Sequence, residues 1–238
     1  MKSLLLTLLL TSSPALAKVV PTGINVNQIA DVTKKFSGLL SLHSSNSPFA
    51  LGEDFEIEIT AVHQDLELNS INDIGAISSK NLLEPIATIR KGLYWNIDMG
   101  FTFALPAESH LISGYSFNLS HSSQIGAFHI KPELYTSNYN LDDTLNINSS
   151  GLSLIAFKKI SFFHLGLGGR VEFAKGNYEE KSLGSNTLTS GDTSKADITS
   201  TAGVAKAVFQ SSRTRLTLTY SFSDIDKSES SLSLAFKL

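Results

Sequence analysis

From Leu93 to Leu105 the chain changes character at every residue. Leu93, Trp95, Ile97, Met99, Phe101, Phe103 and Leu105 are large and apolar, while Tyr94, Asn96, Asp98, Gly100, Thr102 and Ala104 between them are polar or small. A strand sends successive side chains to opposite faces, so this segment has one oily face and one polar or tightly filled face. The pattern recurs along the chain. Leu216, Leu218, Tyr220 and Phe222 alternate with Arg215, Thr217, Thr219 and Ser221; Leu232, Leu234, Phe236 and Leu238 alternate with Ser231, Ser233, Ala235 and Lys237. Phe163, Leu165, Leu167, Val171 and Phe173 alternate with His164, Gly166, Gly168, Arg170 and Glu172, and near the start Phe55, Ile57 and Ile59 alternate with Glu56, Glu58 and Thr60.

A soluble sheet also alternates, with its oily face inward. Strand length and turn spacing separate the two cases. Ten strands are expected, at about 54–63, 83–91, 94–104, 110–120, 125–136, 145–158, 161–174, 197–210, 213–223 and 228–238. Several reach ten residues or more; a soluble strand averages about five or six, and about 9–11 tilted residues cross a bilayer. Short connections near Lys91-Gly92, His121–Gln124, Lys158-Lys159 and Ser211-Ser212 take turns with a more variable set, at about 64–82, 137–144 and 175–196 and near Pro106 and Asp224–Lys227. Tight turns at one rim and longer loops at the other characterise outer-membrane barrels. The expected fold is all-β: a transmembrane antiparallel up-and-down β-barrel of about ten strands over residues 51–238, with a short N-terminal helix.

Composition removes other classes. Mean hydropathy is +0.06, high for a soluble protein, yet after the first twenty residues no apolar run reaches the length of a membrane-spanning helix. The balance of 19 Lys and Arg against 22 Asp and Glu leaves no basic stripe for nucleic acid. The absence of cysteine excludes disulfides, thiolate metal sites, a cysteine nucleophile and a lipid-bearing cysteine.

Residues 1–17 have the layout of a secretory signal peptide: Lys2, an apolar run from Leu4 to Leu10, and Ala15-Leu16-Ala17 as the cleavage site. Residues 18–50 are expected to hold a helix and a linker. Ile29, Val32, Phe36, Leu39 and Leu40 recur at helical spacing, Asp31 is early and Lys34-Lys35 late, and Ser44 to Pro48 reads as the linker. The helix has three possible places: packed on the periplasmic rim, which is the expectation, capping the barrel mouth, or inside the lumen.

Pro85-Ile86-Ala87-Thr88-Ile89-Arg90-Lys91-Gly92-Leu93 leads into the alternating segment, preceded by Ala50-Leu51-Gly52 and Phe55 and followed by the Leu152–Lys159 strand with its Lys-Lys turn. With the alternating C-terminal strand, this layout resembles a group of uncharacterised small outer-membrane barrel proteins of Gram-negative bacteria, over about residues 36 to 238. The resemblance implies an outer-membrane location, lipid as partner, and recognition of the C-terminal strand by the barrel-assembly machinery. It implies no activity. Such strands commonly end in an aromatic residue; here Leu238 is last and Phe236 keeps the apolar phase.

If the oily face meets lipid, Trp95, Ile97, Met99, Phe101, Phe103, Leu216, Leu218, Tyr220, Phe222, Leu232, Leu234, Phe236 and Leu238 face it. The opposite phase then gives a lumen network of Glu56, Glu58, Glu84, Asp98, Glu133 and Glu172 against Arg90, Lys131, Arg170, Arg215 and Lys237, with His129 and His164. Buried charges need partners, and a ten-stranded barrel is only slightly wider than the size that side chains can fill. A closed polar core is therefore expected, and a structural or surface-interaction role with it. Two alternatives stay open: a narrow channel for small solutes, and a secreted soluble barrel that turns Trp95, Phe101 and Phe103 inward around an apolar ligand. His110 with Asp142-Asp143 could form a general-base pair, but these read more simply as rim and loop residues, so neither enzyme nor cofactor is expected. Spacing supports no metal site.

Overall fold

The structure, a computed structural model, describes residues 26–37, 46–65, 81–105, 112–141, 145–179, 193–223 and 228–238. They form one helix, α1 (Val26–Phe36), and eleven strands: β1 (Phe55–Asp65), β2 (Asn81–Gly92), β3 (Ile97–Ala104), β4 (Ile112–His121), β5 (Ser123–Ile125), β6 (Phe128–Leu141), β7 (Leu145–Ile160), β8 (Phe163–Glu179), β9 (Thr193–Gln210), β10 (Thr214–Ser223) and β11 (Ser228–Lys237). Neighbours along the chain pair antiparallel, and β1 pairs with β11 from Glu56↔Lys237 to Gln64↔Glu229. Both β4 and β5 pair with β6, so they make one stave, interrupted at Ser122, whose N–H donates to the Asn96 carbonyl at 2.9 Å. The result is a closed barrel of ten staves with no free edge.

The barrel is inside out relative to a soluble one. On β10 every second residue is buried, and the buried ones are Arg215, Thr217, Thr219 and Ser221; Leu216, Leu218, Tyr220 and Phe222 are 37–55% exposed. The same inversion holds around the ring, with Ile57, Phe101, Phe117, Leu134, Leu154 and Val171 outside and Glu58, Asp98, Asn118, Lys131 and Arg170 inside. Phe101 lies on the outer face, opposite to what the soluble ligand-binding alternative requires.

Connections 93–96, 126–127, 161–162 and 211–213 gather at one end of the barrel, with the start of β1 and the end of β11. The strand ends that flank 66–80, 105–111, 142–144, 180–192 and 224–227 gather at the other. These are called the short-turn and long-loop ends below.

Three expectations need correction. Leu93–Leu105 is not one strand. Trp95 and Asn96 have φ of 61° and 59°, and the Ile97 N–H returns to the Tyr94 carbonyl, so Tyr94–Ile97 is the tight turn between β2 and β3. Two left-handed residues in succession match the right-handed twist of the flanking strands. Trp95 is therefore a turn residue, 85% exposed, and the strand begins at Ile97. Next, β8 and β9 run past Phe173 to Glu179 and start at Thr193, with Lys175↔Asp197 and Asn177↔Lys195 in register. Their Asn, Lys and Ser residues imitate loop composition, but the ladder continues through them.

The third correction concerns the helix, which packs inside the barrel and not on the periplasmic rim. Ile29, Val32 and Phe36 form one apolar cluster with Val62, Ile86, Tyr139, Leu145, Ile147, Ala174, Tyr178 and Ala196, inward-facing residues of the long-loop half. α1 lies against β8 and β9. Gly176 makes the approach possible: a Cβ there would meet Thr33 Oγ1 at 1.9 Å. Residues 46–51 then run along the lumen to the short-turn end. Asn46, Ser47 and Pro48, expected as an open linker, are buried. The strap and helix put apolar surface where the alternation implied only polar side chains, and the facing strands answer with Val62, Ile86, Ile147, Ile155 and Phe157.

Candidate functional site

The candidate site is the lumen, and its charges gather in the tier below the helix. Glu58 is the centre. Its Oε2 accepts from Arg90 at 2.6 Å and Arg215 at 2.5 Å, and its Oε1 accepts from Thr60 Oγ1 at 3.2 Å and from the Asn46 side-chain amide. Arg215 also forks onto Glu56, at 2.6 and 2.7 Å, and Arg90 reaches the same carboxylate at 3.4 Å. The planar guanidinium suits this two-pronged arrangement. Two acids and two bases, from β1, β2 and β10, thus neutralise one another with every side chain at most 5% exposed.

Around this quartet sit smaller groups. Lys131 pairs with Asp98 at 3.1 Å, and the other Asp98 oxygen accepts the Leu51 N–H at 2.8 Å, which ties the strap to β3 and β6. Lys206 donates to Asn46 Oδ1 at 2.7 Å, while the Asn46 nitrogen donates to Glu58 and to Ser233 Oγ, at 3.2 Å for the latter. One strap carboxamide therefore joins β9, β1 and β11. Arg170 lies 3.9 Å from Glu172 and 3.8 Å from Glu229. Ser153 donates to Glu133 at 3.5 Å.

The other residues expected in the network lie apart from it. Glu84 is buried in the long-loop half opposite Val62, and its Oε2 has no partner among the described residues. Lys237 is half-exposed at the short-turn mouth, where it pairs with Asp54. His129 and His164 also sit at that end, and Phe49 of the strap stands edge-on to both, at 4.7 and 5.1 Å between ring centroids. Ile155, Phe157, Val204 and Val208 form a second apolar cluster there, and Gly166 lets the Phe157 ring lie against β8. From the long-loop end down, the lumen thus holds a helix with apolar neighbours, an ion-paired tier, and at the short-turn end a second apolar cluster and the Phe49–histidine group. Beside the strap, the hollow lined by Ser47, Leu51, Glu56 and Arg215 measures only about 30 Å3, room for about one water.

The expected list omitted Lys206, Glu229 and Asn46. Glu229 shares the phase of Ser231, Ser233 and Ala235, so the alternation of β11 could have located it. Lys206 lies in Val204-Ala205-Lys206-Ala207-Val208, where both faces are apolar and no phase stands out. A lysine within such a run was the available signal. Nothing in the sequence marks Asn46.

Among the described residues no group of three His, Cys, Asp or Glu could hold a metal ion. His110, Asp142, Asp143 and the cleavage site at Ala17 lie outside the described residues.

No family model matches the chain, and no curated protein matches it in sequence. Among solved structures it is similar to the translocator domain of the autotransporter NalP from Neisseria meningitidis, at 10% identity over 88% of this chain and 96% of that one, with a TM-score of 0.45. It is similar to Neisserial surface protein A at 9% identity, over 81% and 97% of the two chains, TM-score 0.37. Against OmpT, an outer membrane protein of Vibrio cholerae, identity is 11% and the TM-score 0.34; 65% of this chain is matched and 55% of that one. These likenesses are of fold alone.

Proposed function

We propose that this chain is an integral outer-membrane β-barrel protein of a Gram-negative bacterium whose lumen is closed by its own helix, strap and ion pairs, and that it serves as a structural or surface-interaction protein. The observation that carries the reading is the inversion of polarity: a ring of exposed Phe, Leu and Ile side chains encloses ion-paired Glu, Asp, Arg and Lys. Water rewards the opposite arrangement, and lipid rewards this one, because a closed barrel satisfies every backbone group without solvent. On this reading residues 1–17 direct export and are removed after Ala17. The short-turn end is periplasmic and the long-loop end faces outward, and the β11 strand with Phe236 is what the assembly machinery reads.

A second reading, a narrow channel for small solutes, is favoured by one row of side chains. Ser116, Asn118, Ser120 and Ser122 all face inward from the β4 stave, are at most 7% exposed, and carry polar atoms with no partner among the described residues. Buried groups of that kind normally bind water.

Conductance separates the two. The purified barrel, folded enough to migrate faster unboiled than boiled, is added to planar bilayers. Silence at several hundred millivolts supports the closed lumen. Stable steps altered by Asn118→Leu support the channel. A protein that shows no heat shift and stays soluble in the periplasm overturns both.

A further inference from the structure

The barrel wall is uneven in height. β6, β7, β8 and β9 contain 14, 16, 17 and 18 residues and the β4–β5 stave spans as many as β6, whereas β1, β2, β3, β10 and β11 contain 11, 12, 8, 10 and 10. About 9–11 residues suffice to cross the apolar layer, so these four adjacent strands continue beyond it on the long-loop side. Their outward face changes chemistry at a definite level. Below it stand Leu134, Leu152, Leu154, Val171 and Phe173. Above it the outward positions are Asn138, Asn146, Asn148, Lys175, Asn177, Lys195 and Asp197, with no large apolar side chain among them. The carboxamides form a hydrogen-bonded patch, with Asn138 donating to Asn148 at 2.7 Å and Asn148 to Asn146 at 2.7 Å.

At the boundary lies a hollow of about 420 Å3, within the size range of small-molecule sites. Phe173, 57% exposed, lines it together with Thr136, Asn148, Ser150, Lys175 and Thr199. An exposed aromatic side chain beside a carboxamide, hydroxyls and a loose Lys175–Asp197 pair at 3.8 Å offers apolar surface next to donors and acceptors. A sugar ring presents the complement: C–H bonds on one face and hydroxyls around its edge. The hollow begins where the apolar belt ends, which in a membrane is the level of the head groups.

We infer that the outward hollow on β6–β9, built on Phe173 and Asn148, binds the saccharide head group of a glycolipid in the outer leaflet. The site lies outside the lumen and is independent of whether the barrel conducts. It rests on the membrane reading only in that the belt must sit in lipid.

The full chain is reconstituted into nanodiscs of three kinds: with lipopolysaccharide carrying its core saccharide, with the same lipid stripped to its acylated diglucosamine, and with phosphatidylethanolamine alone. Bound lipid per barrel is read by native mass spectrometry, and stability by the temperature at which the heat shift occurs. Saccharide-bearing lipid should be retained about tenfold better than either control, and Phe173→Ala with Asn148→Leu should remove that preference. Both side chains are exposed, so these variants should keep the heat shift, and Phe101→Ala on another part of the belt should retain the preference. Equal retention of the three lipids, or a preference the double variant does not change, overturns the proposal. Free core oligosaccharide binding as tightly as the intact lipid would make a soluble glycan the ligand and overturn the head-group assignment. Failure of the membrane reading looks different: no barrel would enter any of the nanodiscs.

Discussion

Gly176 is where the closure of the lumen can be tested with one side chain. A Cβ placed there would lie 1.9 Å from Thr33 Oγ1, 3.1 Å from Thr33 Cβ and 3.3 Å from its Cγ2. Rotating Thr33 can swing the hydroxyl away, but its Cβ, carried by the helix backbone, stays at 3.1 Å. Non-bonded atoms settle at about 3.5 Å, so even with Thr33 rotated Gly176→Ala requires α1 to retreat by about 0.4 Å (3.5 less 3.1), and overpacking of this kind costs about 1–3 kcal/mol. Leucine adds three more carbons to the same place and should displace the helix from its seat. The chain has no cysteine, so Ile29→Cys, at a site 0% exposed, supplies a single reporter thiol. In that background maleimide labelling should be slow, and Gly176→Ala should speed it about 5- to 150-fold, the range set by 1–3 kcal/mol. Gly176→Leu should label faster still and add bursts of conductance in planar bilayers. Lys175→Ala, the outward neighbour, is the control. Labelling within twofold of the parent in a Gly176→Leu barrel that still shows the heat shift would refute the argument that α1 is packed against β8.

Other outcomes follow from the ion-paired tier and the strap. Glu58→Gln removes the charge facing Arg90 and Arg215 and should lower the heat-shift temperature markedly, since breaking a buried pair costs about 3–5 kcal/mol. Glu84→Gln should be neutral or stabilising, because its carboxylate has no such cation to lose among the described residues; a loss equal to that of Glu58→Gln would show that Glu84 has a partner. Phe49→Ala should free the strap from His129 and His164 at a cost of about 1–3 kcal/mol, less than a fully buried phenylalanine because Phe49 is only half-buried, and should increase proteolysis near residue 46 from the periplasmic side. On intact cells an impermeant maleimide should label Thr199→Cys and leave Ser211→Cys unlabelled. The reverse pattern would invert the orientation.

The staves were legible because lipid and lumen impose opposite polarities, and an alternating strand records both at once. Arg215 to Phe222 is such a segment, and its inward and outward residues can be read one by one. Legibility failed where that contrast fails. β7 carries Leu152 and Leu154 outside and Ile155 and Phe157 inside, so its phase is hidden, and the apolar lining of the lumen is hidden with it. The upper parts of β8 and β9 read as loop because their outward residues are asparagine, lysine and aspartate, though their ladder is intact. Turn geometry was obscured at Trp95, an apolar residue that continues the alternation while its backbone reverses the chain. The helix itself was visible from the spacing of Ile29, Val32 and Phe36. Its place was not, because an amphipathic helix suits a barrel interior as well as a rim, and only the small residue at Gly176 and the inward Val62 and Ile147 distinguish them. In the charged tier, the pairing of Glu56 and Glu58 with Arg90 and Arg215 joins residues up to 159 positions apart, and periodicity says which face a charge occupies without saying which charge it meets.

Depth-resolved fluorescence quenching tests the central claim, that the exposed ring of apolar side chains lies in lipid, most directly. Trp95 is the only tryptophan, so Trp95→Phe with Leu152→Trp moves the single probe to the outward face of β7, in the middle of the belt. In vesicles of phospholipids brominated at different depths, strong quenching is expected, peaking for bromines deep in the acyl chains. A folded barrel of this double variant whose tryptophan fluorescence is indifferent to every bromine position would contradict the claim.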